Sequence, residues 1–261
     1  MKQRITIFIF GLVIISLCKA QEAKTFISFD DTKIVYTDEG EGKPVLLIHG
    51  FINSRKSWER TELKKDLLAN GYRVIIPDLR GSGDSDKPHD DESFSQNAEV
   101  TDLIFLMADL KISKYDVIGY SRGSILTAKL MTLDKRIKKV VLGGMGADFT
   151  NRYWKRRLMF RDAFNGIVTE ETKGAVDYAK SIDADLRCLY LQQKHQSFTS
   201  KTALSHVKNK VLVIVGDEDM DNGDPAELAN IFKKGELAII PGDHNNTSKT
   251  KAFSETIIDF L

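Results

Sequence analysis

Ser121 stands in Gly119-Tyr120-Ser121-Arg122-Gly123, a G-x-S-x-G pattern leading from an apolar run at 115–119 into a helix-like run at 123–133. A nucleophilic serine needs that context: a sharp turn between strand and helix lifts its hydroxyl clear, and the flanking glycines let neighbouring backbone come close. A serine hydroxyl is a weak nucleophile at neutral pH, so a base must accompany it. The chain has five histidines, His49, His89, His195, His206 and His244. After such a serine the acid comes next in the chain and the histidine last. Only His244 lies beyond the apolar run at 211–215, in the loop Pro241-Gly242-Asp243-His244. The stretch 216–221 offers four carboxylates, Asp217, Glu218, Asp219 and Asp221. A buried one would hold the imidazole in one tautomer and stabilise the imidazolium. Asp217 and Asp219 both suit that place, and Asp148, after the run at 140–142, is a more distant alternative.

Acyl transfer also needs two backbone N–H groups for the oxyanion. Arg122, directly after the serine and at a helix start, supplies one. Phe51, in the loop His49-Gly50-Phe51, is the expected source of the other. His49 in such a loop is read as a holder of backbone geometry. The turn-rich stretch 78–88 is read as structural, packed near the site through Asp78 and Arg80. No dinucleotide fingerprint or phosphate-binding loop occurs, and His195 and His206 lack metal-ligand spacing, so no cofactor and no metal are expected. Residues 151–161, NRYWKRRLMFR, could meet an anionic substrate or a membrane surface. The preferred reading is an amphipathic helix with Trp154 and Leu158 inward and the arginines solvated.

These groups need a scaffold, and the chain supplies strand and helix patterns in alternation. Two short strand-like runs, 25–29 and 33–37, with Asp30-Asp31 between them, read as a hairpin. Continuous apolar strands are expected at 45–48, 72–76, 115–119, 140–142, 211–215 and 237–240. Helices are expected at 58–69, 97–110, 123–133, 225–232 and 248–261. Such alternation implies an α/β fold whose mainly parallel sheet is covered by helices on both faces. Between about 147 and 208 no strong strand pattern appears, so that stretch reads as a helical insertion.

The 261 residues suffice for one domain with a full core. With 38 Lys plus Arg against 37 Asp plus Glu, the formal net charge is +1, which gives no pull toward nucleic acid or an anionic membrane. Lys2 and Arg4 precede an apolar run at 5–17, and Cys18-Lys19-Ala20 suits signal cleavage before Gln21. Residues 1–20 are thus expected to be a signal peptide and 21–261 one domain, secreted or periplasmic, without stable membrane insertion. Leu17 is not the small residue that lipidation of Cys18 would want, and an uncleaved anchor is the other rival. Cys188 is then the one remaining cysteine, read as a small buried apolar residue.

Together, the His49 loop, the 78–88 loop, the Ser121 turn, 216–219 and Gly242-Asp243-His244 resemble the α/β-hydrolase superfamily, with its motifs in order. The resemblance implies an α/β-hydrolase fold over nearly everything after the leader, with 147–208 as the variable cap. It also selects Asp219, because the family's acid usually lies three residues after the glycine ending its strand, here Gly216. The 78–88 loop looks like that of epoxide hydrolases and haloalkane dehalogenases, which carry aspartate where this chain has Ser121. The resemblance therefore implies an esterase-like reaction on a small carboxylic ester, without a cofactor. Arg122 departs from the smaller residue of many relatives and could crowd or charge the pocket. Amide or peptide cleavage, as by an aminopeptidase, and a non-catalytic ligand-binding protein remain alternatives.

Overall fold

The computed structural model describes residues 22–261. The expected signal peptide, residues 1–20, and Cys18 lie outside that range. In the described residues the chain runs β1 (Lys24–Ile27), β2 (Lys33–Glu39), β3 (Lys43–Ile48), α1 (Lys56–Glu59), α2 (Glu62–Ala69), β4 (Tyr72–Pro77), α3 (Ala98–Asp109), β5 (Tyr115–Tyr120), α4 (Arg122–Leu133) and β6 (Ile137–Gly143). It continues with α5 (Lys155–Phe164), α6 (Glu170–Ser181), α7 (Leu186–Lys194), α8 (Lys201–Ser205), β7 (Lys210–Gly216), α9 (Pro225–Ile231), β8 (Gly235–Ile240) and α10 (Lys251–Phe260).

The eight strands form one sheet in the order β1-β2-β4-β3-β5-β6-β7-β8. β1 and β2 pair antiparallel, as do β2 and β4, and every later pairing is parallel. The parallel strands are apolar along their length because helices cover both faces, and Val45, Leu46, Leu47 and Ile48 of β3 are fully buried. One cluster on one face joins α3 and α4 to Leu46, Ile48, Val117 and Val140. On the other, α2 and α10 pack on Val45, Leu47, Ile118 and Val141.

The expected helix at 58–69 is two helices. Thr61 sits in extended backbone between them and its side-chain oxygen accepts from the Lys64 N–H, capping α2. The helix expected from 248 begins at Lys251 for a similar reason: Thr250 caps it, taking the Phe253 N–H. Between β6 and β7 a 3-10 turn at Ala147–Thr150 and helices α5 to α8 fill the stretch that showed no strand pattern. α5, α6 and α7 build their own small core of Ala163, Phe164, Val176, Ala179 and Leu189, against which Phe51 and Ile52 pack. Among the described residues no helix is long and apolar enough to cross a membrane.

Candidate active site

Ser121 occupies the turn between β5 and α4 with φ 53° and ψ −125°, a backbone conformation that few side-chain-bearing residues adopt. The turn is enforced by contact. A Cβ on Gly123 would lie 2.2 Å from the Ile48 carbonyl oxygen, and one on Gly119 would lie 2.4 Å from the Gly123 carbonyl oxygen. Both positions therefore exclude any side chain, and the crossing of α4 over β3 depends on that. The Ser121 N–H donates to the Gly143 carbonyl at 2.8 Å, which ties the turn to β6.

His244 is carried by the loop after β8. Its Nε2 lies 2.9 Å from Ser121 Oγ and its Nδ1 lies 2.8 Å from Asp219 Oδ2. Asp219 is buried, in the loop after β7. With Nδ1 protonated toward that carboxylate, the Nε2 lone pair faces the serine hydroxyl, the tautomer a general base requires. The loop is fixed from below, where the Tyr120 hydroxyl donates to the His244 carbonyl at 2.7 Å. The structure thus brings Ser121, His244 and Asp219 together. It places Asp217 elsewhere, its Oδ1 accepting the Gly242 N–H at 2.9 Å. Asp148 is exposed in the 3-10 turn after β6.

Phe51 and Arg122, the latter directly after the serine in the chain, both line the cavity that Ser121 opens into. The Arg122 side chain does not crowd that cavity. Its guanidinium is buried in a two-pronged pair with Glu99 of α3, one contact being 2.9 Å, and it donates to the Gln192 carbonyl of α7 at 3.0 Å. The charge that looked like a departure at the site instead fastens the serine helix to its neighbour and to the cap.

His49 is buried. Its Nε2 accepts the Leu79 N–H at 3.1 Å and its Nδ1 lies 2.9 Å from the Gly50 carbonyl. Burial pushes its pKa below the ordinary 6.5. Protonation would also set an N–H against the Leu79 N–H, so His49 is held neutral and joins β3's loop to the 78–88 loop. In that loop Asp78 takes the N–H of Arg55 at 2.7 Å and of Asp84 at 2.9 Å and pairs with the Arg55 guanidinium. Arg80 is fully buried between Asp102, at 2.6 and 2.7 Å, and Asp30.

Two features escaped the sequence. Asn222 donates to Asp219 Oδ1 at 3.4 Å and to the Gly144 carbonyl at 3.3 Å, so it braces the acid, and its amide nitrogen lies 3.2 Å from His244 Nδ1. An asparagine in an acidic loop carries no pattern that would single it out. Arg156 and Arg157 of α5 are not solvated as expected: both are half-buried and line the cavity. A helix's own sequence does not show what will cover its polar face, and here the Gln193 carbonyl of α7 takes Arg157 while Phe160 lies under Arg156. Elsewhere, His89, Asp185 and Cys188 come within 4.8 Å of one another. Asp185 there caps α7 by accepting the Cys188 N–H at 2.9 Å, and burial pushes the Cys188 thiol up to about 12. That is a packed, protonated cysteine.

The cavity measures about 620 Å³ and is walled by Trp154, Phe160, Tyr178 and Met145 above and beside Ser121. A mainly parallel sheet with a serine turn after β5, an acid loop after β7 and a histidine loop after β8 defines a protein of the α/β-hydrolase fold. A family model described as alpha/beta hydrolase fold matches residues 43–165, and the chain belongs to the α/β-hydrolase superfamily. It is similar to an epoxide hydrolase of Siraitia grosvenorii, 30% identical over 147 residues, 56% of this chain and 45% of that one. The first curated relatives are matched over less than half of their own length. A bromoperoxidase from Bacillus anthracis superposes with TM-score 0.72 at 23% identity, over 92% of this chain and 99% of that one. An esterase from Exiguobacterium antarcticum superposes with TM-score 0.71 at 20% identity, over 92% and 99%. These likenesses establish the fold.

Proposed function

We propose that the protein is a serine hydrolase that cleaves a small carboxylic ester through an acyl-enzyme. The observation that carries the reading is the line of contacts Asp219–His244–Ser121, 2.8 and 2.9 Å, ending at a serine on a strained turn below an open cavity. His244 Nε2 takes the hydroxyl proton as Ser121 Oγ attacks the ester carbonyl carbon. Charge collects on the carbonyl oxygen, where the N–H groups of Phe51 and Arg122 meet it. The tetrahedral centre collapses, the imidazolium gives its proton to the departing alkoxide, and an acyl-Ser121 remains. His244 then deprotonates a water that attacks the acyl carbon, and the proton returns to Ser121 as the acid product leaves. Asp219 keeps the imidazole oriented and stabilises its charged form.

Relatives named epoxide hydrolase and fluoroacetate dehalogenase indicate hydrolytic chemistry on this scaffold. A serine at the nucleophile position favours acyl transfer over ring or carbon–halogen opening by a carboxylate. Amide hydrolysis would use the same three residues, with the cavity deciding the substrate.

The test is turnover of para-nitrophenyl butyrate by the wild type, Ser121→Ala and His244→Ala. Wild-type activity, with each variant at least about a hundredfold lower in kcat/KM, is the expected result. Equal rates in all three proteins would remove the serine mechanism.

A further inference from the structure

Resting on the hydrolase reading, we infer that the substrate carries a carboxylate, held in the cavity by Arg157 with Arg156 beside it. Three exposed or half-buried cations, Arg156, Arg157 and Lys249, line the cavity, and no aspartate or glutamate does. A charge drawn partly out of water is ordinarily paired, so a half-buried guanidinium without a carboxylate inside a pocket points to an anion that arrives with the ligand.

Arg157 is the centre of the argument. Its Nη1 donates to the Gln193 carbonyl at 2.7 Å and its Nη2 to the Arg152 carbonyl at 3.0 Å. Those two bonds fix the plane of the guanidinium and leave three of its five N–H groups free. Among the described residues no carboxylate pairs with it. Burial, with the charges of Arg161 and Arg152, pulls its pKa below the ordinary guanidinium range, a cost that a bound anion would relieve. Arg156 is only loosely engaged: Asp221 is 3.5 Å away and largely exposed, and the guanidinium stacks over Phe160 at 5.3 Å.

The other cations near the site are already matched. Arg122 is paired with Glu99, and Arg55 with Asp78 and Asp84. Arg156 and Arg157 are thus the unmatched pair on the cap side of the cavity, which Ser121, Trp154 and Phe160 also line, while Lys249 lies exposed on the loop after β8. A hydrolysable ester with an apolar body and a carboxylate at one end fits this division. The forked guanidinium suits a planar carboxylate, and its fixed plane means little ordering is required on binding.

The test uses two matched pairs, because the carboxylate can sit on either side of the scissile bond. Phenyl hydrogen glutarate is compared with phenyl pentanoate, and para-butanoyloxybenzoate with phenyl butanoate, by initial rates of phenol release. The inference expects the anionic member of at least one pair to be favoured by at least about tenfold in kcat/KM. That preference should fall as salt is added. Arg157→Gln should reduce it by at least about fivefold, chiefly through KM, while Arg157→Lys, which keeps the charge, retains more of it. Wild-type rates that are equal within both pairs, or that favour the neutral esters, overturn the inference and leave the hydrolase reading intact. A preference that survives in both Arg157→Gln and Arg156→Gln overturns the assignment to these residues. If no ester turns over, a fluorophosphonate label separates the two ideas. An unlabelled Ser121 ends the hydrolase reading and this inference with it. A labelled Ser121 protected by para-butanoyloxybenzoate and not by phenyl butanoate supports the inference, and equal protection overturns it.

Discussion

At the scale of single residues, the account rests on which carboxylate faces His244. Asp219 is buried against the imidazole, whereas Asp217 spends its Oδ1 on the Gly242 N–H. Asp219→Asn should therefore lower kcat by at least about 10³-fold, because an amide presents the wrong partner to Nδ1–H. Asp217→Asn retains an oxygen for Gly242 and should stay within about threefold of the wild type. Parallel rate measurements on the two variants decide the matter, and a reversed order would move the acid to Asp217. The sequence alone could not make this choice, since four carboxylates crowd 217–221 and only burial separates them. Ser121 and His244 were legible because a strand–turn–helix and a terminal loop are local patterns. Asn222 was not, because what ties it to the site is the Gly144 carbonyl, which only folding brings close.

At the scale of elements, the serine helix is coupled to the cap. Arg122 begins α4, Glu99 lies on α3 and the Gln192 carbonyl on α7, and one buried guanidinium joins all three. Removing one member leaves an uncompensated charge. Glu99→Gln should cost about 3–5 kcal/mol of unfolding free energy, read from urea midpoints. A loss below about 1 kcal/mol would mean the pair is far less important than its burial implies. No sequence pattern announces a contact between positions 23 and 70 apart. The strands were legible for the opposite reason: those buried on both faces read as unbroken apolar runs. Strand ends and the break at Thr61 were less so, since β6 extends to Ile137 through exposed Lys138 and half-buried Lys139, and a threonine cap looks like any helical threonine.

At the scale of the whole molecule, the neutral His49 makes stability depend on pH. Its folded pKa lies below the unfolded value of 6.5, so the unfolded chain binds the proton first. This contribution is fully present above about pH 6.5 and is lost as pH falls from there toward the folded pKa. Denaturation midpoints should therefore drop between about pH 7 and about pH 5, and His49→Gln, which can still accept from Leu79, should flatten that slope. An unchanged slope would place the acid sensitivity on other groups. The architecture itself was readable from the alternation of strand and helix. What was not readable was how the cap folds over the sheet, which is why Arg157 looked like a solvated face of a helix and lies instead in the wall of the cavity.

The most direct test of the central claim is covalent labelling of the protein with a fluorophosphonate, followed by peptide mass mapping. The account predicts one adduct, on Ser121, absent in Ser121→Ala and formed far more slowly in His244→Ala. No adduct, or an adduct elsewhere that persists in Ser121→Ala, would contradict it.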